Sequence, residues 1–217
     1  MGKSKKTLFL ILALLFLLVL IYYIFNVSSI FELGEKEILP VDAEGNIYET
    51  VEIGDQVWFA ENLRTSEHSE GESWCYNDED ENCEIYGRLY NWEAAIVACP
   101  SGWLLPSDED WQELEEYAGG EEVAGANLKS TDFWQSKDEA LGGLDGYDFS
   151  VLPGGQYVDG YFYDLDKSSF FWTSTEQDVG PVWSRTFLSR SDEIIRSTFS
   201  TEHAFSVRCI KDDSSVE

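Results

Sequence analysis

The chain has 217 residues, with 42 Asp and Glu against 14 Lys and Arg and a formal net charge of −28 at neutral pH. No basic footprint accompanies that balance, so nucleic acid is not expected as a partner and an anionic polysaccharide is disfavoured. Aromatic residues make up 15% of the chain, with eight Trp. Disordered acidic segments are poor in such residues, so a folded core is expected.

Residues 1–6 read as a basic cytoplasmic tail carrying Lys3, Lys5 and Lys6. The uncharged run 7–25 follows, and at about 1.5 Å per residue it spans roughly 28 Å, the thickness of a hydrocarbon core. It is longer than a secretory h-region and ends in Tyr22, Tyr23 and Phe25, rings suited to a membrane interface. The expectation is an uncleaved transmembrane signal anchor; a leader cut near Val27-Ser28-Ser29 is the alternative. Because the lysines precede the span, the protein is expected to be single-pass in the membrane. Its N-terminus would be cytoplasmic and the remainder periplasmic or extracellular. Residues 26–40 read as a stalk, 41–212 as one exported domain and 213–217 as a tail. All 42 carboxylates lie beyond the span, and a solvated acidic surface that keeps the domain soluble accounts for most of them.

Cys75, Cys83, Cys99 and Cys209 all fall in the exported part. An even count in an oxidising compartment favours two disulfides, with three pairings possible. The short polar loop between Cys75 and Cys83 favours a local pair, which leaves Cys99 for Cys209 across about 110 residues, a closure worth about 4–5 kcal/mol in chain entropy. There is no CxxC spacing, and His68 and His203 form no ligand pattern, so zinc is not expected.

Along the domain, residues 47–53 alternate apolar and polar side chains, Gly54-Asp55 turns, and 56–60 resume the alternation. That is a hairpin signal. The spacing of Leu89, Trp92, Ala95, Ile96 and Cys99 predicts a helix over 89–98. A rigid buried corner is expected at Cys99-Pro100-Ser101-Gly102-Trp103-Leu104-Leu105-Pro106. Ser107 with Asp110 then marks a capping box, Trp111, Leu114 and Ala118 form an apolar stripe, and Gly119 follows the end of this second helix. Its acidic first turn suits the helix dipole. Residues 120–168 read as a long loop region rich in Gly, Asp and aromatics. Strands are expected at 170–175, 182–187, 194–199 and 205–210. Trp58, Trp92, Trp103, Trp111 and Trp172 are assigned to the core. Segregated strands and helices make the class α+β.

Several segments stand in an order with a family resemblance. They include Asp42-Ala43-Glu44-Gly45-Asn46, Val57-Trp58-Phe59-Ala60-Glu61-Asn62-Leu63, Tyr86-Gly87-Arg88-Leu89-Tyr90-Asn91-Trp92, Leu152-Pro153-Gly154-Gly155, Phe171-Trp172-Thr173-Ser174-Thr175 and Ser206-Val207-Arg208-Cys209. Together with the cysteine-proline corner, this series resembles the Fibrobacter succinogenes major paralogous domain over roughly residues 40–212. That exported bacterial family is related to the C-type lectin-like fold. The resemblance implies two helices, small antiparallel sheets, a long loop region holding the variable surface, and a disulfide from the first helix to the last strand. Adhesion or carbohydrate binding follows by extrapolation. The Glu-Pro-Asn, Gln-Pro-Asp and Trp-Asn-Asp tripeptides of calcium-dependent lectins are missing, so no sugar site of that type carries over to any residue.

Two acidic loops offer oxygen ligands at short spacing. Asp78 and Asp80 in one, and Asp145 and Asp148 in the other, are candidate calcium ligands. Solvated loops and turn-forming aspartates explain the same residues without metal. Tyr157, Tyr161, Tyr163 and Trp183 are candidate ligand-binding aromatics, able to stack on a sugar or anchor a protein interface, with core filling as the alternative. No nucleophile elbow, HExxH or phosphate loop occurs, so no catalytic residue is assigned. The expectation is a membrane-anchored binding or adhesion domain for a glycan or a surface protein, with a structural envelope component as the alternative.

Overall fold

Expected hairpin and observed hairpin coincide: β1 (Thr50–Ile53) and β2 (Gln56–Phe59) pair antiparallel, Thr50 opposite Phe59 and Ile53 opposite Gln56. Gly54 makes the turn at φ 65°, a left-handed conformation that glycine adopts without steric cost. The computed structural model describes residues 14–23, 39–135, 142–178 and 180–212. It divides into two units, Met1–Ile38 and Leu39–Glu217. In the first, residues 14–23 are helical. Among the described residues no helix is long and apolar enough to cross a membrane. The expected span 7–25 lies partly outside the described residues; the basic tail 1–6, the tail 213–217 and nearly all of the stalk lie wholly outside them.

The second unit is α+β. After β2 come β3 (Ser73–Trp74), a single 3-10 turn (Tyr76–Asp78), α1 (Asp80–Tyr86) and β4 (Leu89–Tyr90), which returns to pair with β3. That pairing shortens the expected helix. Leu89 and Tyr90 are strand, Asn91 is the cap whose side chain accepts from the Ala94 amide, and α2 is Trp92–Ala98. The short helix buries Ala94, Ala95 and Ala98 and leaves Ile96 40% exposed, so the expected apolar face is rotated away from Ile96. Next come β5 (Trp103–Leu104) and α3 (Asp108–Tyr117), whose capping box forms in both directions. Trp111, Leu114 and Ala118 are fully buried, as their spacing requires.

The stretch read as a long loop region contains α4 (Ala124–Leu128) and a small hairpin, β6 (Gln156–Val158) with β7 (Tyr161–Tyr163). Neither was expected. The meander β8 (Ser168–Glu176), β9 (Val182–Leu188) and β10 (Ile195–Phe199) forms a three-stranded sheet. Only β11 (Ile210–Lys211) remains of the last expected strand. It inserts between β2 and β5, giving the sheet order β1-β2-β11-β5 and joining the two ends of the domain.

Neighbouring residues of β2 feed two cores, as alternate side chains on a strand must. Phe59 joins Tyr48, Tyr90, Trp172 and Phe205 under α2, whereas Trp58 joins Trp111, Phe149, Phe171 and Phe187 under α3. Trp92 and Trp103 are half-buried against the first core. Both disulfides form as expected, with Cys75–Cys83 at 2.05 Å and Cys99–Cys209 at 2.07 Å. The second ties the C-cap of α2 to the residue before β11.

Candidate functional site

Three of the four candidate calcium ligands have left-handed backbone, and the fourth begins a helix. Asp78, Asp145 and Asp148 have φ of 58°, 46° and 55°, a region that Asp tolerates better than most residues. Asp80 opens α1 with its carboxylate 3.9 Å from Cys75 Sγ. The Asp145 carboxylate is occupied locally, accepting from the Ser150 amide at 2.8 Å and the Ser150 hydroxyl at 2.5 Å. Among the described residues no three His, Cys, Asp or Glu side chains stand as a metal-holding group.

The candidate aromatics divide by face. Tyr157 stacks on Trp74 at 4.5 Å between centroids and lies 4.8 Å from Phe162, so it packs the hairpin onto the domain. Its backbone also pairs with Ala204. Tyr161 and Tyr163 point the other way, 67% and 46% exposed, with ring centroids 6.4 Å apart. Between them Phe162 turns inward against Tyr76 at 5.1 Å. The turn that presents them is Asp159-Gly160, both left-handed at φ 50° and 86°, the backbone pattern of a tight two-residue hairpin. Trp183 sits elsewhere, half-buried on β9, with the Arg196 guanidinium 3.4 Å from its ring centroid. Its contact is thus a cation–π pair within the meander.

A cleft of about 240 Å³ opens between the segment after β2, α1 and the loop after α4. Arg208 is part of its lining and is 1% exposed. Its Nε and Nη2 donate to Asn62 Oδ1 at 3.1 and 2.7 Å, and its Nη1 donates to the carbonyls of Phe59 at 3.2 Å and Phe149 at 2.5 Å. Asn62 is itself fixed by donating to the Tyr86 carbonyl at 2.8 Å. Among the described residues no carboxylate forms an ion pair with the guanidinium. Burial therefore pushes Arg208 down to about 9, against the charges of Glu61 and Asp145, and it remains a cation at neutral pH. Glu61, Asp145 and half-exposed Leu152 line the same cleft. Phe133, 52% exposed, stands in its lining with φ 71°.

Spacing along the chain did not single out this cleft. Alternation along the expected strand 205–210 would bury one face, yet Ser206, Arg208 and Ile210 are all buried, as are Phe205, Val207 and Cys209. A sequence signal existed, since an arginine flanked by Val207 and Cys209 is a charge in an otherwise core-like run.

A sequence model described as the Fibrobacter succinogenes major domain matches residues 51–211. The chain belongs to that family. No curated protein and no solved structure matches it. The family match takes in both disulfides, the cleft and the Tyr161–Tyr163 hairpin. It also takes in a buried ion network. Asp108, the first residue of α3, accepts from Arg185 Nη1 at 2.7 Å and Arg196 Nη2 at 2.8 Å, and Glu115 pairs with Arg185 Nε. Burial works to raise the Asp108 carboxyl, but hydrogen bonds from Arg196 and Arg185 hold it below its ordinary value. Burial pushes the Glu115 carboxyl up despite Arg185. The four groups compensate one another, so within this family domain the network reads as a clamp holding α3 to the meander.

Proposed function

We propose that this member of the Fibrobacter succinogenes major domain family is an exported binding module, anchored in the membrane by residues 7–25, with a glycan as its ligand. A C-type lectin-like ancestry of the fold belongs to the same reading. The observation that carries it is the pair Tyr161 and Tyr163, two adjacent exposed rings on a hairpin whose opposite side is packed by Tyr157 and Phe162. Exposed rings on a rigid support lose little conformational freedom when a sugar face or a protein anchor stacks on them. The strong negative charge directs the reading toward neutral ligands over acidic ones.

The test is a screen of the full chain in a sugar-free detergent against a glycan array and insoluble polysaccharides, with calcium and with chelator. The expected result is saturable binding to a neutral glycan, weakened at least tenfold by Tyr161→Ala with Tyr163→Ala at an unchanged melting temperature. Loss of binding in chelator would assign calcium a place in the interaction. A folded protein that binds nothing in either condition overturns the glycan reading.

A further inference from the structure

Resting on the binding-module reading, we propose that the cleft over Arg208 is a subsite for a single neutral sugar ring. A ring hydroxyl would accept from Arg208 Nη2, a neighbouring hydroxyl would donate to Asp145, and an apolar ring face would lie on Phe133.

The hydrogen-bond count of Arg208 comes first. A guanidinium has five N–H groups, and four are taken by Asn62 Oδ1, twice, and by the carbonyls of Phe59 and Phe149. The second N–H on Nη2 has no partner among the described residues. A buried charged group with an unmade hydrogen bond is a standing cost that an acceptor oxygen entering the cleft would relieve.

Charge then selects the kind of acceptor. Glu61, Glu84, Asp132 and Asp145 line the cleft against Arg64 and Arg208, and Arg64 is already paired with Glu61 at 2.5 Å. With four carboxylates against two guanidinium groups the lining is net negative, which disfavours a carboxylate or phosphate. A hydroxyl suits both signs, since its oxygen accepts from Arg208 and its hydrogen donates to a carboxylate. Asp145 retains capacity for this, because each carboxylate oxygen has two lone pairs and Ser150 uses one on each.

Shape and strain supply the last part. At about 240 Å³ the cleft is below the range that takes drug-sized ligands, which suits one ring and not a peptide segment. Phe133 is a bulky residue in a left-handed conformation, φ 71°, with its ring held edge-on to Tyr86 at 5.9 Å and half of its surface in water. Such backbone is uncommon for a large side chain and clusters at functional sites. An exposed ring in one cleft with the Arg208 donor and the Asp145 acceptor gives a sugar its apolar and polar contacts together.

The experiment titrates the full chain in a sugar-free detergent with a panel of neutral methyl glycosides and their uronic acid counterparts, followed by calorimetry. Expected is saturation by at least one neutral glycoside, at least tenfold weaker binding of the matching uronate, and at least tenfold weaker binding by Phe133→Ala and by Asp145→Asn at unchanged melting temperature. Arg208 itself is left intact because it holds three segments together. Tighter binding of the uronate, binding indifferent to Phe133→Ala, or no binding of any neutral glycoside overturns the subsite. Polysaccharide binding that needs Tyr161 and Tyr163 yet ignores Phe133→Ala and free glycosides overturns the subsite alone. If neither polysaccharide nor glycoside binds, the module reading falls with it.

Discussion

Arg185 and Asp108 are 77 residues apart in sequence and 2.7 Å apart in the fold. Arg185 faces Arg196 across the β9–β10 ladder, and like charges directly opposite on a sheet destabilise it. The Asp108 carboxylate lies between them, accepting from both guanidinium groups. The acidic first turn of α3 therefore does more than suit the helix dipole. One of its carboxylates makes the meander's arginine pair tolerable and fixes the helix against the sheet.

Asp108→Ala leaves the fully buried Arg185 short of its partner. Breaking a buried pair by removing one member costs about 3–5 kcal/mol, and the Arg185–Glu115 contact that remains puts the expectation near the lower end. Arg196 is 41% exposed at its side chain, so Arg196→Ala is expected to cost only about 1 kcal/mol. Urea unfolding at constant m-value measures both. An Arg196→Ala loss as large as that of Asp108→Ala would contradict the clamp.

The two carboxylates give opposite pH dependences. Asp108 is held below its ordinary 3.8, so its contribution is present above that value and is lost as pH falls through the lowered folded-state value. Glu115 is raised above its ordinary 4.5. Its contribution is full below 4.5 and is lost as pH rises through the raised value. Unfolding midpoints from acid to neutral pH should therefore fall less steeply above 4.5 in Glu115→Gln than in the parent chain. Parallel profiles would show that Glu115 does not titrate with folding.

What the sequence made legible was local. The β1–β2 hairpin, the Ser107–Asp110 capping box and the Trp111 stripe each declare themselves within a dozen residues, and the Cys75–Cys83 loop is short enough to pair by proximity. The β6–β7 hairpin hid because its strands have three residues each, too few for alternation to register. Helical spacing counted from Leu89 puts Ile96 on the buried face, but the helix starts at Trp92 and turns Ile96 outward. The charged interior was illegible for a different reason. Arg208 finds Asn62 across 146 residues, and no periodicity along the chain encodes which arginine will meet which carbonyl. Of the candidate site, Tyr161, Tyr163 and Asp145 were in view, while Arg208 and Phe133 required the fold.

The disulfides should contribute unequally. Chain entropy gives about 4–5 kcal/mol for closing the Cys99–Cys209 loop and about 2–3 kcal/mol for the Cys75–Cys83 loop, whose sequence separations are 110 and 8. Paired Cys→Ala variants compared by urea unfolding test the order. The long bridge also joins α2 to the strand that closes the sheet, so its loss is expected to lower the melting temperature of the whole domain. If the short bridge proved the more valuable, its role would lie in native contacts, such as the Arg88 guanidinium against both of its sulfurs.

Gly71 offers the sharpest test of a backbone requirement. It sits at φ 73°, and a Cβ there would collide with the Ala94 amide nitrogen and with Asn91 Oδ1. Asn91 Oδ1 is the acceptor that caps α2 through Ala94 and also holds the Glu72 amide. Gly71→Ala must therefore accept a left-handed alanine, at about 1–2 kcal/mol, and displace a cap worth about 1 kcal/mol. The Ala94 backbone must also give way, so a loss greater than about 2–3 kcal/mol is expected. Asn91→Ala alone should cost about 1 kcal/mol, and because the cap can be lost only once, the double variant should fall short of the sum. Strict additivity in the urea midpoints would mean that Gly71 and the cap act independently, and the close approach of Gly71 to Asn91 would then not govern the entry into α2.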